Sequence, residues 1–194
     1  MPTQGPTAPG TCASVAPGDV AWGNPDNAKV SDNARADASF MLMGGDSEYL
    51  RCTNFGFTSN GLLVGVTVDL EWLGSSTTYS VQLVLSGTRI GTAKTGSVPI
   101  IEEVTTLGSA SDLWDVADST DYTNSAFGVD IRVSGGMTTN GLVDYVTVTV
   151  TTAASSIYDG FFVQQSIPAA ASQIVAQKRT FRVAVSGAGG SGTV

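Results

Sequence analysis

Acidic side chains are where this sequence comes closest to chemistry. Asp69 and Glu71 stand two apart in an alternating run. That spacing puts both carboxylates on one face of a strand, within about 7 Å. A carboxylate pair at such a distance is the arrangement of glycosidase acid–base work, but outward carboxylates on a strand are usually solvated or paired with Lys or Arg. Glu102 and Glu103 are adjacent and would point to opposite faces. Asp26, Asn27, Asp32, Asn33 and Asp37 crowd oxygen donors into one stretch, and Asp112, Asp115, Asp118 and Asp121 repeat at a constant spacing of three. Hard cations such as calcium take ligands of this kind from loops. Neither set has the spacing of a defined calcium loop, so turn and capping chemistry is the expected role. The sequence therefore assigns no catalytic, cofactor-binding or metal-ligating residue.

Histidine is absent. A Ser-His-Asp triad, a Cys-His pair and a His-ligated zinc or iron site are thereby excluded. No phosphate-cradling GxxxxGK[ST] occurs, and the glycine cluster from Gly187 to Gly192 opens no helix. Trp22, Trp114 and Tyr122 lie outside the alternating runs and are the candidates for a sugar-stacking surface. Trp72 is in phase with a core face, and core packing is the commoner role for such rings.

The 194 residues carry a formal charge of −8, with 13% charged residues and 23 glycines. Sparse charge with abundant Thr, Ser, Val and Gly suits an ordered β protein. The acidic balance opposes binding to a phosphate backbone, so no nucleic-acid partner is expected. All 17 acids lie at or before Asp159; beyond it come only Lys178, Arg179 and Arg182, which make residues 160–194 a basic arm of charge +3. Such an arm suits an acidic surface of its own or a neighbouring subunit. The beginning, MPTQGPTAPG, has neither a basic nor an apolar region of a secretory signal. No run approaches the roughly 18–20 apolar residues that span a bilayer, so no membrane partner is expected. Cys12 and Cys52 belong to no CxxC pair. Their spacing does not decide whether they pair; two idle thiols is the reading for a chain made in the cytosol.

The elements that must position these residues are strands. Phe127 to Val150 contains two alternating runs joined by a Gly/Thr/Asn loop. Phe127, Val129, Ile131 and Val133 share one face, and Val146, Val148 and Val150 share another. Period-two alternation of β-branched and aromatic residues predicts strands with one buried face, here two central antiparallel strands. Leu63–Leu73 predicts a strand with Val64, Val66, Val68, Leu70 and Trp72 inward, ended by a turn at Gly74-Ser75-Ser76. Tyr79–Leu85 and Ile90–Lys94 flank a hairpin turn at Ser86–Arg89. Ala36–Met43, Ser47–Phe57 and an edge strand over Val98–Thr106, interrupted by Pro99, complete the body. Residues 107–126 predict short capped helical turns. The expected fold is all-β, a jelly-roll-like antiparallel β-sandwich over 21–151. A body of about 150 residues can bury close to 70% of its unfolded surface without staples. An extended or flexible arm at 1–20 precedes it. A C-terminal extension at 152–194 follows, with short strands over Phe161–Gln165 and Thr180–Val185 and a flexible Gly-rich end.

The pieces AWGNPDNAKVSDNARADA, YLRCTNFGF, GVTVDLEW, DLWDVADSTDYTNSAFGVDIRV and GLVDYVTVTV, in this order from about Ala21 to Val150, together resemble a jelly-roll domain of structural proteins in tailed bacteriophages. Where that pattern often carries a proline turn before GVTV, this chain has TSNGLLVGV. The resemblance implies a non-enzymatic virion component made in the host cytoplasm: a capsid decoration protein, a head fibre or a tail-associated part. It implies a homo-oligomer, with major capsid or tail proteins as partners. The alternative reading is a carbohydrate-binding module of a tail or adsorption structure, which would recognise host-surface glycan.

Overall fold

The computed structural model describes residues 1–42, 44–58, 61–153, 182–184 and 191–193. They fall in two compact units, Met1–Ser156 and Ile157–Val194. The larger unit is an all-β antiparallel sandwich of nine strands: β1 (Thr3–Thr7), β2 (Thr11–Val15), β3 (Ala36–Phe40), β4 (Gly45–Asp46), β5 (Tyr49–Thr53), β6 (Leu63–Leu85), β7 (Thr88–Ser97), β8 (Glu103–Gly108) and β9 (Phe127–Thr152). A 3₁₀ turn at Pro25–Ala28 is its one helical element among the described residues. No helix of these residues is long and apolar enough to cross a membrane.

Two long strands make the spine. β6 and β9 run antiparallel from Leu63↔Thr152 to Leu85↔Phe127. The two alternating runs of 127–150 are therefore not the two separate strands that the sequence predicts. They are the two halves of one strand, and each half pairs with its own half of β6. The expected turn at Gly74-Ser75-Ser76 is likewise a bend, where register shifts between Ser75 and Thr77 and Ser76 takes φ 54°. Small residues at both bends let the ribbon fold over without ending a strand. One half of β9 carries β5 and β4, and the other carries β3 and β1. β7 and β8 flank the corresponding halves of β6 and form the edges.

The folded ribbon brings its halves into contact. Trp72 meets Tyr79 with ring centroids 4.9 Å apart. At Gly141 a side chain would lie 2.9 Å from both methyls of Val133, so the close approach there requires glycine. Val66, Val68, Leu70, Val81, Leu83, Val129, Ile131, Val133, Val146, Val148 and Val150 form one shared core. Val64 departs from expectation. A register shift between Leu63 and Gly65 turns Leu63 inward and leaves Val64 half-buried.

The N-terminal segment is a further correction. It is not a free arm: β1 pairs with β9 (Thr3↔Thr151, Gln4↔Val150) and β2 with β5 (Cys12↔Cys52). Its prolines are accommodated because each strand is short and the β1 register is interrupted between Gln4 and Thr7. Cys12 and Cys52, directly opposite across that pair, form a disulfide with Cα atoms 4.2 Å apart. They are not idle thiols, because the register leaves them face to face.

β3 ends at Phe40. The edge strand over 98–106 begins only at Glu103, beyond Pro99. Residues 109–126 form turns without a helix. Their backbone serves β6 instead: Leu63 N–H donates to Asp118 O at 2.8 Å and Val66 N–H to Asp112 O at 2.9 Å. In the smaller unit β10 (Arg182–Ala184) pairs antiparallel with β11 (Ser191–Thr193), so part of the Gly-rich end is strand. Phe161–Gln165, Lys178 and Arg179 lie outside the described residues.

Candidate functional site

The aromatic platform suggested by sequence does not exist at the surface. Trp22, Trp114 and Tyr122 are 4%, 1% and 4% exposed. Trp22 Nε1 donates to Glu48 O at 2.8 Å, Trp114 Nε1 to Val66 O at 2.9 Å, and Tyr122 Oη to Gly61 O at 3.0 Å. Each ring fills the core and satisfies its polar tip on backbone. No sugar reaches them.

The aspartate clusters mostly build turns. Asp32, Asp112 and Asp121 accept the N–H two residues on, from Ala34, Trp114 and Thr123. Asp26 pairs with Lys29 at 2.9 Å, and that hydrogen bond lowers its pKa. Lys94 holds Asp112 at 2.6 Å and likewise lowers its carboxyl below the usual range. Asp115 accepts from Thr92 at 2.5 Å, and Asp69 from Thr106 at 2.6 Å. Asp69 is thus a cross-strand hydrogen-bond partner. Glu71 belongs to a different group, with Glu102 and Asp144.

A cleft forms where sequence reasoning saw nothing. Cross-strand partners share a face of a sheet. On the outer face of the β2–β5–β9–β6–β7 layer, Arg51, Asp130 and Gln82 form one row and Gly128, Val84 and Arg89 the next. Arg51 binds Asp130 through two parallel hydrogen bonds of 2.8 and 2.7 Å. Asp130 is fully buried, and its hydrogen bond raises the Arg51 pKa. The Tyr49 ring lies between two guanidinium groups, Arg89 and Arg132, each 4.0 Å from its centroid. Arg132 also donates to the carbonyl of Pro17 and pairs with Asp46 at 3.3 Å. Its Nε is buried without a hydrogen-bond acceptor among the described residues.

The resulting cleft, about 390 Å³, is lined by Val15, Ala16, Pro17, Tyr49, Arg51 and Arg89, with Gly87 and Thr88 at the hairpin. Arg51 and Arg132 are each matched by a carboxylate. Arg89 is exposed and makes no ion pair among the described residues. The cleft therefore holds one unneutralised guanidinium, set by stacking on a ring. Nothing in the spacing of Tyr49, Arg89 and Arg132 announces this, because three separate strands bring them together.

No family model matches this chain, and none of the curated proteins matches it. Among solved structures, the apo form of BiXyn10A CBM1 aligns over 74% of this chain and 92% of its own, with 9% identity and a TM-score of 0.44. The C-terminal family 22 carbohydrate binding module of Clostridium thermocellum Xyn10B aligns over 75% and 88%, with 14% identity and a TM-score of 0.33. At these values neither comparison assigns a residue of this chain a role.

Proposed function

We propose that this chain is a non-catalytic recognition module that binds an acidic saccharide in the cleft over Tyr49. The observation that carries the reading is the Arg89–Tyr49–Arg132 stack. Both faces of the ring are covered by guanidinium groups, so it does not stack on sugar. It holds Arg89 in place, and a guanidinium without an ion pair suits a planar carboxylate. The cleft volume suits one or two sugar units and the lining is largely polar. A net charge of −8 on the whole chain repels extended polyanions. A single carboxylate presented in register with Arg89 meets local attraction instead.

The test is titration of oligosaccharides carrying a single uronic acid against neutral oligosaccharides of equal length. The acidic series binds, and Arg89→Ala weakens binding roughly 10–100-fold, the loss of one charge-assisted hydrogen-bonded contact. Equal affinity for the neutral series, or an unaffected Arg89→Ala variant, contradicts the reading.

A second observation supports self-association of this chain, which a virion part as read from the sequence would need. β8 pairs only with β6 among the described strands, leaving its other edge open. Ile100, Ile101 and Val104, beside or on it, are 77%, 69% and 59% exposed. An open edge with apolar side chains invites a second chain. Sedimentation of the purified chain should show an oligomer that Val104→Glu dissociates. A strict monomer at high concentration removes this reading.

A further inference from the structure

Asp144 stands where the alternation of β9 breaks. Glu71 pairs with Tyr145 and Trp72 with Val143, so Asp144 is the extra residue of a bulge. A bulge re-aims a side chain. Asp144 is 1% exposed, yet its Oδ1 has no hydrogen-bond partner among the described residues. Its carboxylate lies with those of Glu71 and Glu102, one oxygen from each falling within 4.8 Å of the others. Two oxygens on opposite sides of a calcium ion are about 4.8 Å apart, because calcium–oxygen distances run about 2.3–2.6 Å.

We propose that Asp144, Glu71 and Glu102 form a calcium-binding site on the surface of the β3–β9–β6–β8 half of the sandwich. Burying a carboxylate with one oxygen unpaired is costly unless a cation completes it. The arrangement supplies hard oxygen donors only, which suit calcium over softer metals. Arg35 donates to Oε1 of Glu102 through Nε at 3.1 Å and Nη2 at 2.6 Å, which fixes that side chain. Three carboxylates and one guanidinium leave a local charge of −2, which a divalent ion neutralises. Glu102 is exposed and Glu71 half-buried, so water reaches the open side and fills the remaining positions. Burial pushes the Asp144 carboxyl above its usual range and Glu71 and Glu102 add to this, while the backbone of Asn33 and Asp32 pulls the other way. The site is independent of the saccharide cleft.

Full-length chain, stripped with chelator and dialysed, would be titrated with calcium chloride and separately with magnesium chloride by calorimetry, with thermal melts in parallel. One calcium binds per chain. At a calcium concentration a hundred times Kd the melting temperature rises by roughly 5–10 °C. Magnesium, which demands a tighter octahedron, produces less than half that shift. Asp144→Asn and Glu71→Gln each weaken calcium binding at least tenfold. In chelator, Asp144→Asn melts no lower than the parent, because the buried charge is gone. Glu71 lies on the outward face, so Glu71→Gln decides the matter should Asp144→Asn fail to fold. Absence of both heat and melting shift, or undiminished binding in Glu71→Gln, overturns the site.

Discussion

Asp130 is a carboxylate with no exposure at all, held by one guanidinium through two hydrogen bonds. Removing one partner of a buried pair costs more than the pair contributes, because the remaining charge stays buried and uncompensated. Arg51→Ala is therefore expected to lose about 3–5 kcal/mol in chemical denaturation, whereas Arg51→Met with Asp130→Leu recovers most of it. A single-variant loss below about 1 kcal/mol would mean the pair is solvated. In the run 127–133 Asp130 and Arg132 alternate with the core residues Val129, Ile131 and Val133, and they lie on the opposite face of the sheet. What the sequence lacked was the partner. Arg51 sits 79 positions away and meets Asp130 only through the register of β5 against β9. Asp144 left a trace that alternation does carry: it shares parity with Val146, Val148 and Val150, so a carboxylate falls on a core-facing position. A charge in phase with an apolar stripe is a legible sign of a bulge.

At the scale of elements, periodicity located the strands and misjudged how they join. Gly, Ser and Thr at 74–76 and 134–140 read as turns, because they weaken a strand and favour a bend. In the fold they bend two continuous strands, and only pairing across the whole ribbon distinguishes the cases. The segment 107–126 has no period, and its tryptophan looked available for a ligand. Trp114 instead locks that segment to the sheet: it is 1% exposed, its Nε1 bonds Val66, and its carbonyl accepts Thr92 N–H at 2.7 Å. Gly91, at φ +68°, passes so close that a side chain there would collide with the Trp114 carbonyl oxygen. Trp114→Ala should cost about 3–5 kcal/mol and loosen residues 109–118 first, as read by hydrogen exchange at Leu63 and Val66. Unchanged protection at those two amides would show that the segment is held by its turns alone.

The larger unit is a bent two-strand ribbon with shorter strands laid along it. Its N-terminal residues are part of the sheet and are tied to it by Cys12–Cys52, across 40 positions. In the chain-entropy account such a loop stabilises by about 4 kcal/mol. Composition misread this segment because Pro and Gly argue against a ladder, while two short strands need only a few hydrogen bonds each. The structure concentrates three of the six arginines, Arg51, Arg89 and Arg132, on one outer face and neutralises two of them. In the proposed function the remaining guanidinium, Arg89, is the group that meets the ligand. The most direct measurement is the binding isotherm of an oligosaccharide carrying a single uronic acid to the wild-type chain and to Arg89→Ala. Saturable binding by the wild type that falls roughly 10–100-fold in the variant is the predicted result; a neutral oligosaccharide binding as tightly, or an Arg89→Ala isotherm that overlays the wild type, would contradict it.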